Sequence, residues 1–122
     1  MRRTDFEDLV RQALDSFPPF FLNRLDNIDV VVEDWPTPAD LDSVGLRPGQ
    51  ALFGLYQGIP LTQRATSYGL VAPDRIVIYR GPIELACRND DEIRDQVRHT
   101  VIHEIAHFFG ISDARLRELG AY

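Results

Sequence analysis

"HEIAHFFGISD", His103 to Asp113, is the stretch on which the reading of this 122-residue chain turns. Two histidines stand four apart, a glutamate directly follows the first, and a glycine and an aspartate come after at short fixed steps. Residues four apart on an α-helix lie one turn above each other, about 6 Å along the axis, so the imidazoles of His103 and His107 share a face. There both can reach a single zinc ion at about 2.0–2.1 Å. Glu104 sits about 100° around the helix from His103, an angle wrong for sharing the metal in the same way but right for reaching a water held by it. Zinc brings the pKa of such a water to about 7, and a carboxylate can take its proton as it attacks a carbonyl.

Two histidines alone make a poor zinc site. Gly110 lets the backbone turn sharply after the helix, and Asp113 follows three residues later. The spacing HxxxHxxGxxD can therefore return a carboxylate to the metal. Three protein ligands leave one coordination position open, as a catalytic site requires and a closed structural site does not. Glu118 is the alternative third ligand, although it needs a longer return of the chain. Asp113 can also cap the short helix expected over "ARLREL", beside Ser112. A lone histidine in an apolar helix is usually a satisfied core residue. Here two of three histidines fall in one motif with Glu104, Gly110 and Asp113 in place. His99 lies one turn earlier on the same face, too far from a metal at His107, and is assigned a structural or ligand-supporting role.

The long helix begins at Asn89 or Asp90, with acidic residues in its first turn as the helix dipole prefers, and Gly110 suits a left-handed C-terminal cap. Ile93, Val97, Val101, Ile105 and Phe108 form an apolar stripe away from the histidines, with Ile102, Ala106 and Phe109 beside it. Upstream, Phe6, Leu9, Val10, Ala13, Leu14 and Phe17 recur at helical spacing after a capping-box pattern of Thr4 and Glu7, and that helix must stop before Pro18 and Pro19. A short helical turn is expected through "FFLNRL". Strands are expected over Ile28 to Glu33, over "ALFGLYQG", where Gly54 marks a weak point or a close approach, and over "RIVIYRG", ended by Gly81 and Pro82. Residues 34–50 read as a long loop. A further short strand is expected near Ser67 to Val71. Strands grouped before a long helix indicate an α+β arrangement in one domain, 1–122.

Composition narrows the function. The net charge is −6, which argues against sequence-independent binding to nucleic acid. All thirteen basic residues are arginine, most simply a matter of genome composition. No window approaches the roughly 20 apolar residues that span a bilayer. The N-terminal "MRRTDFEDLVRQ" has no apolar run, so no secretory signal is expected and the expected location is cytoplasmic. The single cysteine, Cys87, has no partner for a disulfide and reads as an ordinary half-buried residue.

At the level of the whole chain, "FEDLVRQALD", "VVVEDWP", "LFGLYQGIPLTQR", "PDRIVIYRGPIE" and "RHTVIHEIAHFFGISDARLRELG" resemble the minimal zincin-like metallopeptidases of bacteria. "HEIAHFFGISD" also resembles the aspartate-ending form of the metzincin signature. The resemblance implies a small mixed β-sheet packed against the active-site helix, an N-terminal helix and a short C-terminal helix. It also implies zinc on His103, His107 and Asp113, with Glu104 as general base hydrolysing a peptide bond. Met1 is the only methionine, so the methionine turn of the wider metzincins is not expected, and neither is their C-terminal subdomain. Without that wall the cleft is expected to be shallow. A zinc-dependent peptidase acting on a peptide or protein as a monomer is the first reading. The alternative is a zinc-bound, non-hydrolytic module that recognises a peptide or partner. An extended peptide would lie on a sheet edge, either Leu52 to Tyr56 or Ser67 to Val71. Arg64, Tyr68 and Tyr122 are candidates to stabilise an oxyanion, though each is also readable as an ordinary surface or packing residue.

Overall fold

The central strand is the most apolar part of the protein. The computed structural model describes residues 1–25, 28–47, 50–58 and 74–118, apart from the side chains of Arg24, Phe108 and Asp113. Along these run α1 (Arg3–Asp15), α2 (Pro19–Arg24), β1 (Ile28–Glu33), α3 (Pro38–Ser43), β2 (Gly54–Gln57), β3 (Asp74–Tyr79), α4 (Arg80–Ala86), α5 (Asp90–Phe109) and α6 (Asp113–Glu118). Ile76, Val77, Ile78 and Tyr79 of β3 are all fully buried. A strand covered on both faces reads as a continuous apolar run and not as an alternation. Among the described residues, β3 accordingly lies in the middle of a three-stranded sheet of order β1-β3-β2. β1 pairs with it in parallel, Val31 opposite Val77, and β2 pairs antiparallel, Leu55 opposite Val77. The mixed sheet and the α+β class are as the sequence implies.

α5 packs on this sheet and on α1. Its inner stripe of Ile93, Val97, Val101 and Ile105 is buried, and it joins Phe6, Leu9, Val10 and Ala13 of α1 in one core with Phe21 and Leu116. Burying this much aliphatic and aromatic surface, at about 25 cal/mol per Å², is the main force holding helix to sheet. Both ends of α5 are fixed locally. Asn89 caps the start, its side-chain oxygen accepting from the Glu92 amide at 2.9 Å. Gly110 ends it at φ 68°. The Ile111 amide then reaches back to the Ala106 carbonyl at 2.8 Å, and the Gly110 amide to His107 at 3.4 Å, which together make a Schellman turn.

Three expectations need correction. α1 starts at Arg3 with Arg2 as its cap residue and no side-chain cap, so Thr4 and Glu7 do not form the capping box. Thr4 is already inside the first turn, and Arg2 instead pairs with Asp5 at 3.1 Å. Within the expected loop 34–50 lies α3. Its Thr37 hydroxyl accepts from the Asp40 amide at 3.1 Å, and the Asp40 carboxylate accepts from the Thr37 amide at 3.0 Å. Pro38 is not a loop former here but occupies the first helical position, where its missing N–H has no partner to lose. β3 ends at Tyr79, before the expected Gly81 and Pro82, and Arg80 opens α4 directly, with both of them in its first turn. The strand expected over Ser67 to Val71 lies outside the described residues. Among those residues no helix is long and apolar enough to cross a membrane.

Candidate metal and catalytic site

The outer face of α5 carries a ladder of imidazoles. The His99 and His103 rings stack with centroids 6.3 Å apart and 14° between planes, and His103 and His107 with 5.7 Å and 20°. All three rings are exposed, while the opposite side of the helix is fully buried. The backbone under the two lower rings is therefore held by the core and not by the rings themselves, the condition for a preorganised site. His99 stands two turns from His107, about 12 Å along the axis, in keeping with a role other than sharing its metal.

Glu104 is the half-buried member of the face. Its Oε1 accepts a hydrogen bond from the Tyr56 amide at 3.1 Å. Burial pushes its carboxyl above the ordinary carboxylate range, while the Tyr56 N–H and the imidazoles of His103 and His107 act the other way. The strand geometry explains why Tyr56 is available. The Tyr79 amide donates to the Phe53 carbonyl at 2.9 Å, so odd-numbered residues of β2 face β3. In an antiparallel ladder the alternate residues, here Gly54 and Tyr56, turn their backbone groups the other way.

Gly54 sets how close β2 comes to α5. A Cβ there would lie 2.5 Å from Thr100 Cγ2 and 3.0 Å from the Val77 carbonyl. Of the two meanings expected for this glycine, close approach is the one observed. Two strand residues span about 6.6 Å and four helical residues about 6 Å, so strand and helix stay in step from Gly54 beside Thr100 to Tyr56 beside Glu104.

At the other end of the motif, the Schellman turn reverses the chain directly after His107. Ser112 caps α6, its hydroxyl accepting from the Arg115 amide at 3.2 Å. Asp113 is the first residue of α6, so capping falls to Ser112. The side chain of Asp113 lies outside the described residues. Among the described residues no group of three or more histidine, cysteine, aspartate or glutamate side chains could hold a metal. His103, His107 and Glu104 are thus brought together, and Asp113 is placed by its backbone alone. Glu118, the alternative ligand, is exposed and paired with Arg115 at 2.8 Å. Two stacked imidazoles beside a carboxylate, with a carboxylate-bearing turn directly after, match the N/O donor set that zinc takes. Cys87 is half-buried, its thiol against the Glu92 carbonyl at 3.5 Å and pushed up in pKa by burial and then by Glu92. Arg64, Tyr68 and Tyr122 lie outside the described residues.

The histidines and Glu104 open into a cleft of about 590 Å³ whose sides are α5, the β2 segment and the chain following α3. That volume lies in the usual range for ligand sites, about 300–1,000 Å³. Val44 and Leu46 supply the third side. The Tyr56 amide and these two residues are not legible in the sequence as site components. A backbone N–H has no residue-type signature, but Thr37-Pro38-Ala39-Asp40 does carry a helix-start signal that reveals α3 when read as one.

A family model described as zincin-like metallopeptidase matches residues 25–121. A solved structure, a conserved hypothetical protein from Thermo thermophilus, is similar in fold. It is 19% identical, with a TM-score of 0.58, over 89% of this chain and 94% of its own. No curated protein matches the chain.

Proposed function

The chain belongs to the family of zincin-like metallopeptidases, and from that premise we propose that it is a zinc-dependent peptidase with His103, His107 and Asp113 as metal ligands and Glu104 as general base. The observation that carries this reading is that both imidazoles and the Glu104 carboxylate open into one cleft bordered by β2. When bound, zinc would supply Lewis acidity that polarises the scissile carbonyl and acidifies water. The protein's own groups do the rest. The Tyr56 amide holds Glu104 Oε1, which leaves Oε2 to accept a proton from water and pass it to the departing amide nitrogen. An extended peptide lies along the β2 segment that lines the cleft.

Replacing Glu104 by Ala tests the reading. Zinc content stays at the wild-type level, and hydrolysis of a peptide falls by about 10²–10⁴-fold. Cleavage at the wild-type rate would remove Glu104 from the mechanism. A wild-type protein that binds peptides and zinc yet cleaves none would make it a recognition module.

A further inference from the structure

The third side of the cleft is a built wall and not a passing loop. Asp40 closes the α3 capping box and, through the same Oδ2, accepts from the buried Tyr79 hydroxyl at 2.9 Å, which ties α3 to the central strand. α3 ends as α5 does. Gly45 takes φ 75°, its amide reaches Asp42 at 3.1 Å and the Leu46 amide reaches the Leu41 carbonyl at 2.9 Å, a second Schellman turn. The turn fixes Val44 and Leu46 on the cleft. Val44 is 43% exposed. Isolated exposed aliphatics are ordinary, but here it lines the same cavity as Leu46, Leu52 and Phe53, continuous with the catalytic face.

The step between β2 and α5 locates Leu52 and Phe53 in this cavity. Gly54 lies beside Thr100 and Tyr56 beside Glu104, so Phe53 and Leu52 run on toward the level of Gln96 and His99. Those levels are five to eight helical residues before Glu104, about 7.5 to 12 Å along α5. At about 3.3 Å per residue, an extended peptide covers that distance in about two to four residues.

We propose that Val44 and Leu46 form, with Leu52 and Phe53, an apolar subsite that takes a large aliphatic or aromatic substrate side chain about two to four residues from the scissile bond, on the side nearer the N-terminus of α5. The inference rests on the peptidase reading and adds to it the substrate class: peptides selected at a remote apolar position. Binding energy at such a distance holds the scissile bond in place and so serves turnover as well as affinity.

The test uses fluorogenic peptides of one extended sequence, varied singly at the positions two to four residues to either side of the cleaved bond. The same peptides are titrated into the zinc-loaded Glu104→Ala protein by fluorescence anisotropy. Leu or Phe should exceed Ala and Asp by about tenfold or more in kcat/KM and in affinity, at one position on one side only. Val44→Asp should turn that preference toward Arg, and Val44→Arg toward Glu. Leu22→Asp, a change at an exposed aliphatic of α2, should leave the profile unmoved. A flat profile in both assays, or a preference that neither Val44 variant shifts, overturns the subsite. Cleavage with a flat profile sinks the subsite and leaves the peptidase reading standing. Selective binding without cleavage does the reverse, and no binding to any peptide overturns the subsite outright.

Discussion

The walls of the cleft are built by different means. α5 is specified by its own stretch of chain: a cap at Asn89, an apolar stripe, and Gly110 to end it. The wall formed by α3 and β2 is positioned by pairings far apart in sequence, Asp40 with Tyr79, Gly54 against Thr100, and the Tyr56 amide on Glu104. One wall holds the chemistry on a frame that scarcely depends on it. In the other wall, the contacts that set its position are the ones that shape recognition. Substitutions should therefore separate function from stability on the first wall and couple them on the second.

The largest effect is expected on the first wall. His103→Ala or His107→Ala should abolish zinc binding and hydrolysis in assays of metal content and peptide cleavage. Both rings are exposed, so metal-free stability by chemical denaturation should stay within about 0.5 kcal/mol of wild type. A much larger loss would mean that the rings support the core and would erase the contrast.

Gly54→Ala is the counterpart on the second wall. The added methyl meets Thr100 and the backbone of β3, so the strand must move, with a cost of about 1–3 kcal/mol. Moving β2 also draws the Tyr56 amide off Glu104, so hydrolysis should fall while zinc content holds. Unchanged activity would show that the Tyr56 contact is dispensable.

The two Schellman glycines sharpen the comparison further. A Cβ at Gly45 or Gly110 meets nothing within 4 Å, so replacement by Ala carries only the cost of positive φ, about 1–2 kcal/mol. Equal losses in thermal melts should have unequal consequences. Gly45→Ala should alter the peptide profile, and Gly110→Ala should weaken zinc binding by disturbing the turn before Asp113.

The smallest effect follows from Asp40, whose carboxyl is held below its ordinary value of 3.8, chiefly by the Thr37 amide and then by Tyr79. A depressed carboxyl contributes stability above its unfolded value and loses it as pH falls through the folded one. Asp40→Asn should therefore melt below wild type at pH 7, with the gap closing as pH drops under 3.8. A gap independent of pH would show that the charge of Asp40 plays no part.

The same division explains what is legible in the sequence. β1, α5 and the breaks at Pro18 and Gly110 follow from local pattern, and the ring alignment of His103 with His107 follows from helical spacing alone. α3 is hidden because three prolines and two glycines in residues 34–50 together read as loop formers, although Pro38 after Thr37 is a helix start. α4 is hidden because Gly81 and Pro82 end a strand and begin a helix equally well. The place of Val44, and the use of the Tyr56 backbone by Glu104, depend on which elements meet in space, and no spacing within either segment records that.

The central claim is that the face of α5 is one zinc site completed from beyond its Schellman turn. Metal content by mass spectrometry on untagged protein, wild type beside Asp113→Ala after supply of zinc and dialysis, tests it most directly. The account predicts about one zinc per chain in the wild type and loss of most of it in the variant, with the fold kept. A wild type that takes up no zinc, or a variant that retains as much as the wild type, would contradict it.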